Sequence, residues 1–278
     1  MIFFQDSFAK KRIMKKENWL FGIIIISTSV NAQTGGISAS KLATINALPV
    51  PERKIEFEPS LSTSYCTGYF NETGKIMNYY NEDDSINIES EISIRITYGL
   101  TESMEVGLSV PIGADYISAG VKYKFFEAKR LAIAALAGIN SSFHSKLPKS
   151  NIKYEESTLI ATGFAITWLL NNKFSVDMDS QCQFTLKKTS DQHRYDGFLD
   201  IDAGYYVFPW LQPVLGVNYG RSEFSLCNSD ITMIVLNTGF TFEPAEQFLM
   251  VINSPLILGG KNTDRNFGFG FALTITLE

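Results

Sequence analysis

The feature that most constrains this chain is a two-residue alternation of apolar and polar side chains, repeated along the sequence in segments about a dozen residues long. It is clearest from Ile86 to Tyr98. Ile86, Ile88, Ile92, Ile94, Ile96 and Tyr98 fall on one face with Ser90 as the gap, and Asn87, Glu89, Glu91, Ser93, Arg95 and Thr97 fall on the other. Successive strand side chains point to opposite faces, so this is a strand with one apolar and one charged face. Phe174, Val176, Met178, Cys182 and Phe184 alternate in the same way with Ser175, Asp177, Asp179, Gln181 and Gln183. At the C-terminus Phe267, Phe269, Phe271, Leu273, Ile275 and Leu277 alternate with small or hydroxylated residues.

Marked throughout, the pattern predicts twelve strands, at 53–65, 86–98, 104–112, 117–126, 131–140, 157–168, 174–185, 197–207, 213–221, 231–242, 247–256 and 266–277. Two depart from it: 131–140 is apolar on both faces, and 247–256 alternates poorly. A strand of about 12 residues tilted by about 45° rises roughly 28 Å, near the height of an outer-membrane apolar band. Strands of soluble sandwiches are shorter, at about 5–6 residues.

Connection lengths carry a second signal. Gly99 to Ser103, Glu127 to Arg130, Leu169 to Lys173, Phe208 to Gln212 and Glu243 to Glu246 are short. The intervening connections, Cys66 to Ser85, Asn140 to Glu156, Leu186 to Asp196, Ser222 to Asp230 and Ile257 to Arg265, are longer, with Gly113 to Tyr116 the exception. Short periplasmic turns, longer external loops and an even strand number are the pattern of a transmembrane barrel. Tyr98, Trp168, Phe208, Trp210 and Phe242 lie near the short-turn ends, where an interfacial aromatic girdle belongs. A soluble β-sandwich would also alternate, but it does not call for this strand length, loop rhythm or aromatic placement.

Composition excludes several other classes. Charged residues make up 19% of the chain, below the roughly 25% of soluble domains, and no internal apolar run approaches the about 20 residues of a spanning helix. Cys66, Cys182 and Cys227 show no CxxC spacing, so neither a disulfide framework nor a zinc site is expected. A net charge of −5 with no basic stripe argues against a nucleic-acid partner.

At the N-terminus, Lys10, Lys11, Arg12, Lys15 and Lys16 precede an apolar run from Trp19 to Val30 and the sequence Val30-Asn31-Ala32. This is the basic, apolar and small-residue order of a secretory signal peptide, with cleavage expected after Ala32. The domain reading is therefore a signal peptide at 1–32, a short periplasmic N-terminal segment at 33–52 and a barrel at 53–278. Residues 35–50 could pack inside the barrel or hang free.

The stretch Arg95-Ile96-Thr97-Tyr98-Gly99-Leu100-Thr101-Glu102-Ser103-Met104-Glu105-Val106-Gly107, with Pro111 beyond it, resembles the strand-turn-strand signature of the meta-pathway phenol-degradation-like family of outer-membrane proteins. Pro51 to Pro59 is similar to that family's entry into its first strand. The resemblance implies a passive transporter or channel for small, hydrophobic or aromatic compounds, and it assigns no binding residues. On physical grounds, Gly99 is expected to supply a positive φ at the turn and Tyr98 an interfacial anchor.

If the even-numbered face of 86–98 meets lipid, Glu89, Glu91 and Arg95 face the lumen. The same parity turns Glu56, Glu58, Glu105, Lys122 and Lys124 inward, followed by Asp177, Asp179, Asp200 and Asp202. Either these charges form a solvated, salt-bridged interior, or they line a pore that favours cations. Glu58, Glu89, Glu91 and Glu105 have Arg95, Lys122 and Lys124 to balance them, whereas the four aspartates have no evident basic neighbour. His144 and His193 lack metal-ligand spacing. Ser141, Ser142 and Ser145 beside His144 would be the only material for a hydrolase. Asn81 to Asp84 lacks the Gly and distal Glu of a calcium loop. Cys66 and Cys227 could pair across the outer mouth.

The chain thus reads as an all-β protein, a transmembrane antiparallel up-and-down β-barrel of about twelve strands in the bacterial outer membrane. Its expected partners are outer-membrane lipid, the barrel-assembly machinery and a small-molecule solute, with no cofactor, metal or catalytic site. A passive channel or transporter is the first functional reading. The alternative is a structural or adhesive barrel with a plugged lumen.

Overall fold

The computed structural model describes residues 34–39, 41–42, 44–78, 87–113, 116–142, 158–186, 193–224 and 230–278. Each predicted segment is a strand: β1 (Ile55–Phe70), β3 (Asn87–Thr101), β4 (Met104–Pro111), β5 (Tyr116–Ala128), β6 (Leu131–Ser142), β7 (Thr158–Leu169), β8 (Phe174–Thr185), β9 (His193–Tyr205), β10 (Leu211–Phe224), β11 (Asp230–Ala245), β12 (Phe248–Lys261) and β13 (Thr263–Leu277). The two-residue strand β2 (Ile76–Met77) pairs only with Tyr69 and Phe70 at the end of β1. The other twelve strands follow one another in sequence order, and β13 pairs back onto β1, from Ile55 opposite Leu277 to Phe70 opposite Thr263. All these pairings are antiparallel, and closure leaves no unpaired edge.

The strands run further than alternation predicts, chiefly at the loop-rich end. β1 continues through Cys66 to Phe70, and the predicted long connection at 257–265 is a tight hairpin. β12 and β13 are separated there by Asn262 alone, with φ at 50°, a conformation asparagine tolerates better than most residues. The long-short rhythm therefore has two exceptions rather than one.

Parity decides the faces as expected. Ile92, Ile96, Phe164, Trp168, Ile201 and Leu215 lie exposed on the outside, while Thr97, Glu105, Asp177, Gln181 and Asp202 are buried within. At the short-turn end Phe208 stacks on Trp210 at 5.2 Å, and Trp210 meets Phe242 edge-on at 5.3 Å. One expectation fails at this end. Gly99 lies within β3, and the described glycines with positive φ are Gly36 and Gly74. A side chain at Gly99 would instead collide with the carbonyl oxygens of Val50 and Pro51, so the glycine admits a crossing chain.

Candidate functional site

That crossing chain is the segment preceding β1. The stretch expected as a short periplasmic segment lies inside the barrel, where Thr34, Ile37, Lys41, Thr44, Ile45, Ala47 and Val50 are buried. Its described residues form no regular secondary structure beyond one bridge between Ala39 and Ile45, so their backbone groups must find partners on the wall. The N–H of Thr34 donates to Gln181 Oε1 at 2.7 Å, that of Ile45 to Asp179 at 2.7 Å, and that of Ala47 to Thr167 Oγ1 at 2.9 Å. Asp202 accepts from the N–H groups of Leu42 and Thr44 at 3.2 and 3.4 Å. Lys41 forms an ion pair with Asp177.

Glu105 clamps both ends of the segment. It accepts from the Ser38 N–H at 2.7 Å, the Ser38 hydroxyl at 2.8 Å and the Val50 N–H at 2.6 Å. Lys122 lies 3.2 Å from the same carboxylate, and both side chains are fully buried. Lys122 also donates to the carbonyls of Ser38 at 3.0 Å and Leu48 at 3.2 Å, and to Asn46 Oδ1 at 3.0 Å. Two buried charges hold position only when paired and hydrogen-bonded, and this pair is both.

Apolar packing completes the seat. Ile37, Ile45 and Ala47 pack against Ala132, Ala134 and Leu136 of β6 and Ala165 of β7. This is why 131–140 is apolar on both faces: its inner face meets the plug rather than water. At Gly107 a Cβ would strike the Gly36 carbonyl, and at Gly120 it would lie 2.6 Å from the Gly35 carbonyl.

The sequence-predicted lumen residues divide by level. Asp177, Asp179, Asp202, Glu105 and Lys122 hold the plug, so the acidic wall on β8 and β9 faces the plug's backbone and Lys41 rather than open water. Arg95 pairs with Glu58 at 2.6 Å, and Thr274 donates to the same carboxylate oxygen at 2.6 Å. Glu91 accepts from the Tyr116 hydroxyl at 2.7 Å. Lys124 pairs with Glu127 at 2.6 Å rather than with a lumen carboxylate. Asp200 accepts from Asn218, and Glu89 is exposed toward the loop-rich mouth. In the turn after β9, Tyr206 donates to Glu243 at 2.8 Å, and burial together with that carboxylate pushes its hydroxyl above the usual tyrosine range.

Sequence reasoning missed Lys41 and Ser38, whose roles follow only from where the segment lies. The available signal was the run of inward-facing Gly107, Gly120, Ala132 and Ala134, too small to fill a lumen by themselves. Cys227, His144, Ser145 and Asn81 to Asp84 lie outside the described residues. Ser141 and Ser142 end β6.

The plug leaves space around it. A cavity of about 230 Å³ lies between the plug and the wall, lined by Ser60, Ser62, Ser93 and Ser109 together with Glu58 and Arg95. A second cavity of about 260 Å³ lies in the loop-side half, and an apolar one of about 140 Å³ sits at the short-turn rim beside Leu48, Pro49, Leu131 and Leu169.

No family model and no curated protein matches the sequence. Among solved structures, the chain is similar to an outer membrane channel from Pseudomonas putida F1 at 12% identity, covering 83% of this chain and 98% of that one with a TM-score of 0.66. It is also similar to the KdgM porin at 8% identity, covering 81% and 99% with a TM-score of 0.52. The fold is thus that of the outer-membrane channel barrels.

Proposed function

We propose that this protein is a passive channel or transporter of the bacterial outer membrane, moving small molecules through a lumen that its own N-terminal segment narrows. The observation that carries the reading is the serine-lined cavity beside the plug. A barrel closed for a purely structural or adhesive role gains nothing from small hydroxylated residues facing a plug, whereas a conduit needs them for width and wetting. The apolar outer face and the aromatic cluster at the short-turn end support placement in a bilayer. The Tyr98-Gly99-Leu100-Thr101 resemblance and the apolar rim cavity support small hydrophobic or aromatic solutes as cargo, which would leave between Leu48, Pro49 and Leu169. Single-channel recording of the refolded full chain tests the proposal. Discrete conductance steps are expected, and a silent barrel that is folded by heat-modifiable gel mobility would favour the structural reading.

A further inference from the structure

We infer that the loop-side cavity is a binding site for a small organic cation, a primary ammonium carried on a single apolar ring. The site does not depend on the channel reading, because occupancy requires no conduction. Its polar side is a ladder across three strands: Asp200 on β9 accepts from the Asn218 amide on β10, and Asn218 in turn accepts from the Asn237 amide on β11. A carboxylate offers only acceptors, so Asn218 must turn its NH₂ group to Asp200 and its oxygen to Asn237. Asn237 must then give its NH₂ group to Asn218, which leaves its own oxygen without a donor in the wall of the cavity. Asn237 is 2% exposed, and its Oδ1 has no hydrogen-bond partner among the described residues. A buried acceptor without a donor is costly, and a ligand N–H relieves it.

The remaining lining fits the same occupant. Glu89 and Asn266 bring further acceptors, and no lysine, arginine or histidine lines the cavity among the described residues. Phe198, Met233, Val235 and Ile257 supply apolar surface, with Phe198 next to Asp200 on the inner face of β9 and Val235 next to Asn237 on that of β11. Gly220 leaves room beside the Met233 methyl, which a Cβ there would approach to 2.8 Å. The volume of about 260 Å³ is below the about 300–1,000 Å³ usual for drug-sized ligands, which limits the occupant to one ring and a short arm.

The test uses 2-phenylethylammonium, with 2-phenylethanol and 3-phenylpropionate as neutral and anionic counterparts, and equilibrium binding to the refolded full chain in micelles by calorimetry. The ammonium is expected to bind at least about tenfold more tightly than the alcohol, with no binding of the carboxylate. Asn237→Leu and Asp200→Asn should each weaken it by about tenfold. Met233→Ala should weaken 2-phenylethylammonium but not ethylammonium. Heat-modifiable gel mobility establishes that each variant is folded. Equal affinity for alcohol and ammonium, no binding of the ammonium to the folded parent, or unchanged affinity in both folded polar variants would overturn the assignment.

Discussion

Glu105 concentrates the logic of the lumen in one side chain. It gathers the Ser38 N–H, the Ser38 hydroxyl, the Val50 N–H and Lys122, all of them donors. A Glu105→Gln substitution turns an NH₂ group onto those donors and leaves Lys122 unpaired, a burial costing about 3–5 kcal/mol. The barrel escapes that cost by letting water in, so the variant should release the plug. The expected outcome is a higher single-channel conductance together with new protease cleavage between residues 34 and 50. A second residue-scale contrast concerns the two faces of β3. Ile94→Arg should lower refolding stability by about 2–4 kcal/mol, as for a cation placed against lipid. Ser93, whose hydroxyl is 2.6 Å from Ser60 Oγ, lines the serine-rich cavity with Glu58 and Glu91, and Ser93→Arg should cost far less. Equal losses in urea titration would contradict the face assignment. At this scale the sequence was legible wherever parity decides orientation. It was silent on partners in the plug, because the donors that reach Asp179 and Asp202 from there are the N–H groups of Ile45, Leu42 and Thr44, and backbone groups carry no compositional signature.

At the scale of the element, the strands were readable because each has a lipid side that must be apolar and an inner side that need not be. β6 is instructive: its lack of alternation looked like a weak strand and is in fact the footprint of the plug on Ala132, Ala134 and Leu136. The plug itself was not readable as an element, since its conformation is fixed by the wall and not by its own periodicity. Its closest approach gives a prediction. Gly107→Val places branched carbons where the Gly36 carbonyl sits, while leaving the pairing of β4 with β3 and β5 intact. The barrel should keep its heat-modifiable mobility, and the plug should be displaced, read as conductance above that of the parent. Unchanged conductance in this folded variant would mean that the plug does not limit flow.

For the whole molecule, charge is distributed unevenly along the axis. In the short-turn half, Lys41 of the plug pairs with Asp177 and Lys122 of β5 pairs with Glu105, while Glu89, Asp200 and Asp264 line a loop-side cavity whose described lining includes no lysine, arginine or histidine. Cations should therefore permeate in preference to anions of equal size. The preference should fade between 0.1 M and 1 M salt as the Debye length falls from about 10 Å to about 3 Å. Reversal potentials measured in salt gradients at the two concentrations check this, and an anion preference at low salt would refute it.

The plug's anchors also dictate an order of events in biogenesis. Its contacts reach across the sequence, from Leu42 to Asp202 over 160 positions and from Thr34 to Gln181 over 147. No anchor set exists until β4, β5, β7, β8 and β9 are all in place, so the segment made before the strands is the last to find its place. Contacts this distant in sequence form late because the intervening chain must first be ordered. Each newly closed barrel is therefore an unobstructed tube until that segment seats.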